Sequence, residues 1–267
     1  MSAIARRRGL TTESVVLPAL GVAAAIAALE LAPRLGILPR QSFPPASEIF
    51  AALGELITGS ELWGPVRDTL SSWALAMVLS TVIAVPLGMA MGSSRVGALL
   101  LRLTVDFLRP IPSVALIPIL ILIYGTQPSI KVALGTLGAT FPLLFQAMYG
   151  VADVDPVAKD TARVFGLSWW GRVRRITLPS VAPYLATGLR ISASVALILV
   201  VTGEYVVGVE GLGQEVLLAQ SGGAYDRMYA FIVTTGMLGV AVNLALLALE
   251  RRVLFWHPSQ RGSGGDE

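Results

Sequence analysis

The residues able to do chemistry in this chain are few, and one polar segment gathers most of them. Asp160-Thr161-Ala162 is followed after a three-residue spacer by Gly166, and after a further nine-residue spacer by Ile176-Thr177-Leu178-Pro179, in a basic stretch between two apolar runs. No nucleophile and base stand together there. The chain has no Cys, so disulfides, thiolate metal sites and cysteine nucleophiles are excluded. Its single His, His257, lies in the C-terminal tail, leaving no histidine base or histidine-rich metal site in the apolar runs. Of the two lysines, Lys131 and Lys159, neither follows a Gly-rich loop nor precedes Ser or Thr, so the phosphate-cradling loop of an ATPase is missing. What is left is recognition chemistry: a charged, glycine-hinged segment built to touch another protein.

The elements that must position this segment are membrane spans. Of 267 residues, 54% are hydrophobic and only 14% charged, against about 25% charged in ordinary soluble domains. Mean hydropathy is +0.72, and several apolar runs approach the ~20 residues that cross a bilayer. Six spans are expected, over 14–32, 69–91, 96–124, 130–150, 183–207 and 229–249. Arg6-Arg7-Arg8 before the first run resembles the start of a signal, but the run is long for one and no polar domain follows; it reads as an anchor. Between the first two spans, Phe50, Leu53, Leu56 and Ile57 follow Ser47-Glu48 at helical spacing and predict an interfacial helix over 47–58. Arg109-Pro110-Ile111-Pro112 predicts a break in the third run. Residues 208–228 read as a Gly-rich loop, and 250–267 as a polar tail.

Lys and Arg concentrate at one set of ends, at Arg6 to Arg8, Arg95, Lys159, Arg163, Arg172, Arg174, Arg175, Arg251 and Arg252. By the positive-inside rule both termini and the 151–182 loop face the cytoplasm. The loop parses into two short helices, with Pro156 opening the first, Gly166 turning the chain, Ser168 capping the second and Pro179 stopping it before the next span. Ala162, Val164 and Phe165 suit a groove on another protein. Among polar groups in the spans, Asp106 and Arg109 stand one turn apart, as an ion pair or with Arg109 aiding an anion. Glu204, near the outer end of the fifth span, is either a gate or binding-protein contact, or a headgroup-level residue. Thr140, Gln146, Ser192, Ser194 and Thr202 read as helix–helix hydrogen bonds, and Trp169-Trp170 as interface anchors.

Asp160-Thr161-Ala162…Gly166…Ile176-x-Leu178-Pro179 resembles the E-A-A…G…I-x-L-P loop of ABC importer permease subunits, with Asp160 in place of the usual Glu and Thr161 in place of Ala. Arg109-Pro110-Ile111-Pro112, Ile117-Pro118, Phe141-Pro142, and Gly203-Glu204 ahead of Gly211-Leu212-Gly213 resemble the alkanesulfonate/taurine/nitrate/bicarbonate branch. The resemblance spans about residues 65–255. It implies an all-α, type I permease fold of six transmembrane helices. Residues 1–13 would form a cytoplasmic segment, 14–249 the permease domain with its core at 65–249, 151–182 the coupling loop, and 250–267 a cytoplasmic tail. It further implies a bacterial inner-membrane homodimer that meets two ATPase subunits and an outside substrate-binding protein, with ATP bound only by the partner. Asp160, Thr161, Ala162, Gly166, Ile176, Leu178 and Pro179 would couple to the ATPase, and Arg109 and Glu204 would lie on the path of a small anion. A sulfonate, nitrate, bicarbonate or a heterocyclic nutrient remains open as the solute. No cofactor, metal or nucleic acid is expected. The rival from another class, a proton-coupled secondary transporter, calls for inverted repeats and a titratable relay, and neither is evident. A membrane enzyme would need a nucleophile–base set that is absent.

Overall fold

The protein is described here from a computed structural model, which covers residues 12–94, 96–97, 99, 107 and 111–254. The expected Asp106–Arg109 pairing, the Arg109-Pro110 break and the tail from 255 onward lie outside these residues. Among the described residues every regular element is helical.

Helix α1 spans Thr12–Arg34, and a proline-bounded turn leads to α2, Ala46–Thr58. The two are joined by Glu30, whose carboxylate accepts from the Ser47 N–H at 2.8 Å and pairs with Arg34 at 2.5 Å. A helix is present over the expected 47–58 segment, but its apolar stripe divides. Leu53 and Leu56 turn inward with Ile49 and Ala52, while Phe50 and Ile57 stay exposed. The inward face packs on Leu212, Ala230 and Phe231.

Helix α3, Trp63–Gly92, begins six residues before the expected span, at a tryptophan suited to the membrane boundary. The third apolar run is described chiefly as a 3₁₀ turn, Ser113–Leu116, leading into α4, Ile117–Tyr124. Helix α5, Ser129–Ala152, occupies the centre, and half of its apolar window is buried. After α6, Pro156–Val164, and α7, Trp169–Arg172, the chain passes through a π-type turn, Val173–Thr177, into α8, Leu178–Val207. Helix α9 spans Leu212–Ser221 and α10 spans Tyr225–Val253.

Two expectations are corrected. Pro179 does not stop the helix, because the π turn shifts the backbone register first. The Leu178 N–H donates to Val173 O, five residues back, and Pro179 then sits in the first turn of α8, where a missing N–H is tolerated. The Gly-rich stretch 208–228 is not loop throughout, since Leu212–Ser221 buries Leu212 and Gly213 and packs between α8 and α10. Five described segments are long and apolar enough to cross a membrane: α1, α3, α5, the Trp169–Ser221 stretch that contains α8, and α10. The remaining apolar stretch, Ser113–Tyr124, is shorter.

Small residues let α3, α5 and α8 approach closely, as apolar helices must when lipid supplies no hydrophobic drive between them. A Cβ on Gly88 would lie 2.5 Å from the Leu144 carbonyl oxygen, and one on Gly188 would lie 2.9 Å from Gln146 Cβ. Two polar contacts, one part-buried and one buried, cross the same seam. Trp73 Nε1 donates to Ala193 O at 2.9 Å, and Ser192 Oγ to Ala139 O at 2.7 Å. Of the expected helix–helix hydroxyls, only Ser192 serves this way. Thr140, Ser194 and Thr202 donate to carbonyls four residues back on their own helices, the cheapest partner in an apolar setting.

Candidate functional site: the α6–α7 loop and the polar groups of the spans

At 30 residues α8 is about 45 Å long at 1.5 Å per residue, well beyond a hydrocarbon core of about 30 Å. It has turns to spare beyond that thickness, and the α6–α7 segment leads into the first of them. Local chemistry shapes that segment closely. Asp155 caps α6 by accepting from the Val157 N–H at 2.8 Å, and Pro156 takes the first helical position. Gly166 closes the helix at φ +67°, where the Leu167 N–H reaches Ala162 O and the Gly166 N–H reaches Arg163 O, both at 3.0 Å. This paired closure is a Schellman turn. Ser168 then caps α7 through the Gly171 N–H at 3.2 Å.

The segment is fastened to the bundle at three points. Lys159 Nζ donates to Val151 O at 3.3 Å, a cation against the C-terminal end of α5. Tyr184 donates its hydroxyl to Asp153 Oδ2 at 2.5 Å. Ile176 packs with Val151, Val154 and Val181. Ala162 is 4% exposed, so within this chain it faces inward and does not present itself to a partner's groove. Leu178 and Pro179 are exposed, so of Ile176, Leu178 and Pro179 only Ile176 packs against the bundle within the chain. Asp160 and Thr161 are on the surface, and Asp160 pairs with Arg163 at 2.9 Å. With both side chains about two-thirds exposed, that pair contributes roughly 0–1 kcal/mol. The outward face is apolar instead: Val157, Val164 and Phe165 are 70%, 85% and 78% exposed. Trp169 and Trp170, both exposed, stack on one another at 5.6 Å. Exposed apolar side chains on capped helices, with Arg172, Arg174 and Arg175 beside the tryptophans, are what a docking surface requires.

At the opposite end of the bundle, Glu204 is fully buried. Its carboxylate pairs with Lys131 at 3.0 Å and accepts from Thr69 Oγ1 at 2.9 and 3.0 Å and from the Gly213 N–H at 3.1 Å. Lys131 also donates to Glu210 O, and Thr69 accepts from the Leu212 N–H at 3.0 Å. The cluster draws α3, α5, α8 and the start of α9 onto one carboxylate. Gly211 makes it possible, because at φ +142° a Cβ there would lie 2.1 Å from the Glu204 carboxylate. Glu204 therefore does not lie on an open surface of the chain. Lys131, expected at a span edge, is its buried counter-ion.

Sequence reasoning passed over Arg190. It is the single basic residue on α8, twelve residues from the helix start, or about 18 Å along the axis. A charge at that depth costs roughly 2.5–3.5 kcal/mol unless it meets a partner or a wet cavity. Its ion-pair contact among the described residues is Glu250, at 3.8 Å. The signal was available: an isolated Arg between Leu189 and Ile191 in an apolar run.

The comparisons with known proteins bear directly on this architecture. The chain is 27% identical over 228 residues to the putative aliphatic sulfonates transport permease protein SsuC of Bacillus subtilis, covering 85% of this chain and 83% of that protein. It is 30% identical over 199 residues to the taurine transport system permease protein TauC of Escherichia coli, covering 73% of this chain and 71% of the relative. Among solved structures, a chain from an inward-facing MetNI methionine ABC transporter matches with a TM-score of 0.61 at 22% identity, covering 71% of this chain and 94% of that one, a likeness of fold. Residues 84–255 match the binding-protein-dependent transport system inner membrane component family. That match takes in well over half of the chain, including the capped loop and the Lys131–Glu204 pair, and the protein therefore belongs to this family of ABC importer permease components.

Proposed function

We propose that the chain forms, with a second copy of itself, the membrane path of an ABC importer for a small sulfonate such as taurine or an alkanesulfonate. The observation that carries the coupling half of this reading is the rigid, apolar α6–α7 surface at the arginine-rich end. It is capped at both ends and turned by Gly166, and nothing among the described residues covers it. A cytoplasmic ATPase docks there and its ATP-driven closure moves the loop, with Val157, Val164 and Phe165 making the contact and Ala162 supporting them from behind. Asp160 and Thr161 flank the contact, while Ile176 transmits the loop's motion to α5 and α8. Both termini and the loop face the cytoplasm, and a substrate-binding protein delivers the solute at the Glu204 end. The sulfonate class comes from the SsuC and TauC relatives.

The test is reconstitution. The permease is purified gently with whatever ATPase accompanies it, placed in liposomes with the binding protein, and assayed for uptake of radiolabelled taurine and ethanesulfonate. Uptake that needs ATP supports the proposal. Uptake driven by a proton gradient without ATP would move the protein to secondary transport, and ATP-driven uptake of a heterocyclic nutrient alone would remove the sulfonate.

A further inference from the structure

Helices α8 and α10 run antiparallel and leave a groove between them, mostly apolar but carrying a line of polar groups. Toward the Glu204 end it opens into a cavity of about 440 Å³, and toward the loop end into one of about 220 Å³. Arg190 lines both, so it stands where the two halves meet. On α8, Arg190, Ser194 and Thr202 recur at multiples of four residues and place a polar line on one face. On α10, Thr235 and Asn243 answer from the other wall. Between them Gly236 has no side chain to fill the gap, and a Cβ there would meet nothing within 4 Å.

Among the described residues no side-chain hydrogen bond crosses from one wall to the other in the outer cavity, so these groups do not serve to glue the helices together. The Arg190–Glu250 contact is loose at 3.8 Å, and the Arg190 side chain remains 38% exposed. A guanidinium has five N–H donors in a planar fork suited to an oxyanion, and one carboxylate at that distance does not use them up. A charge at this depth facing lipid is disfavoured; one facing a solute path is not.

We propose that this groove is the protomer's share of the anion path, with Arg190 and Asn243 as a transient binding site for the oxyanion head of the transported solute. The inference rests on the importer reading and adds the residues that meet the cargo. Glu250 holds the guanidinium between passages and yields to the anion.

The chain has no cysteine, so single-cysteine variants report cleanly. Ser194→Cys, Asn243→Cys and Leu244→Cys would be prepared in the assembled importer and treated with the anionic reagent 2-sulfonatoethyl methanethiosulfonate. Leu244 is 58% exposed beside Asn243 but on another face of α10, so it controls for depth. Ser194→Cys and Asn243→Cys are expected to react, more slowly with ethanesulfonate present, while Leu244→Cys stays inert. Inert cysteines at 194 and 243, or cysteines there that form disulfide-linked dimers instead, would overturn the proposal, the latter making the groove a subunit seam. In transport, Arg190→Gln is expected to lower uptake efficiency about ten- to a hundredfold, with Arg190→Lys recovering part and Glu250→Gln losing clearly less than Arg190→Gln. Equal losses in Arg190→Gln and Glu250→Gln would mark a structural pair and overturn the assignment. Wild-type uptake separates the two levels: if wild type imports no sulfonate the importer reading fails, whereas if it does and Arg190→Gln imports equally well, only the groove assignment fails.

Discussion

Substitution at Gly166 tests the coupling loop through its backbone alone. The residue sits at φ +67°, and a Cβ there would meet nothing within 4 Å. Sterics against neighbours are therefore silent, and the cost of a side chain is the cost of holding an L-residue in the left-handed region, about 1–2 kcal/mol for Ala. Asn tolerates this region best after Gly, and β-branched Val tolerates it least. One or two kcal/mol changes the ratio of turned to unturned loop by a factor of about 5 to 30. The perturbation should leave the bundle intact, because α5 and α8 pack elsewhere. The assay is sulfonate imported per ATP hydrolysed in liposomes, with thermal stability measured in parallel. Coupling is expected to fall in the order Gly, Asn, Ala, Val at nearly constant stability. An order that follows side-chain volume instead, or a Val variant coupled as tightly as wild type, would refute the argument from φ.

Three further predictions concern stability and docking. Removing one partner of the buried Lys131–Glu204 pair, by Glu204→Gln or Lys131→Met, should cost about 3–5 kcal/mol. The double variant should recover part of that loss in detergent thermal melts, and simple additivity would count against a shared cluster. Gly211→Ala should destabilise more than Gly223→Ala: both have positive φ, but only at Gly211 does a Cβ collide with Glu204, so equal melting shifts would argue against the close approach. Phe165→Ala should weaken ATPase co-purification without lowering permease stability, whereas Ala162→Trp should lower stability itself because Ala162 is buried within the chain; the reverse pattern would put the docking face on the other side of α6.

The sequence by itself determined what depends on neighbours along the chain. Apolar runs of bilayer length located the spans, and Pro156, Gly166 and Ser168 located the turns of the loop, because a cap or a left-handed turn is decided within a few residues. The same local rule misjudged Pro179, whose fate was set by the π turn just before it, and overlooked α9, whose buried Leu212 has meaning only against α10. Only the tertiary structure decided which way α6 faces. Spacing marks Ala162, Val164 and Phe165 alike as apolar, and it takes the bundle to bury the first and expose the others. It also brought Lys131 to Glu204 across 73 residues and set Arg190 in a groove shared with α10. A charge in a membrane run announces a need for a partner, but which partner meets it depends on helix packing and not on any pattern along the chain.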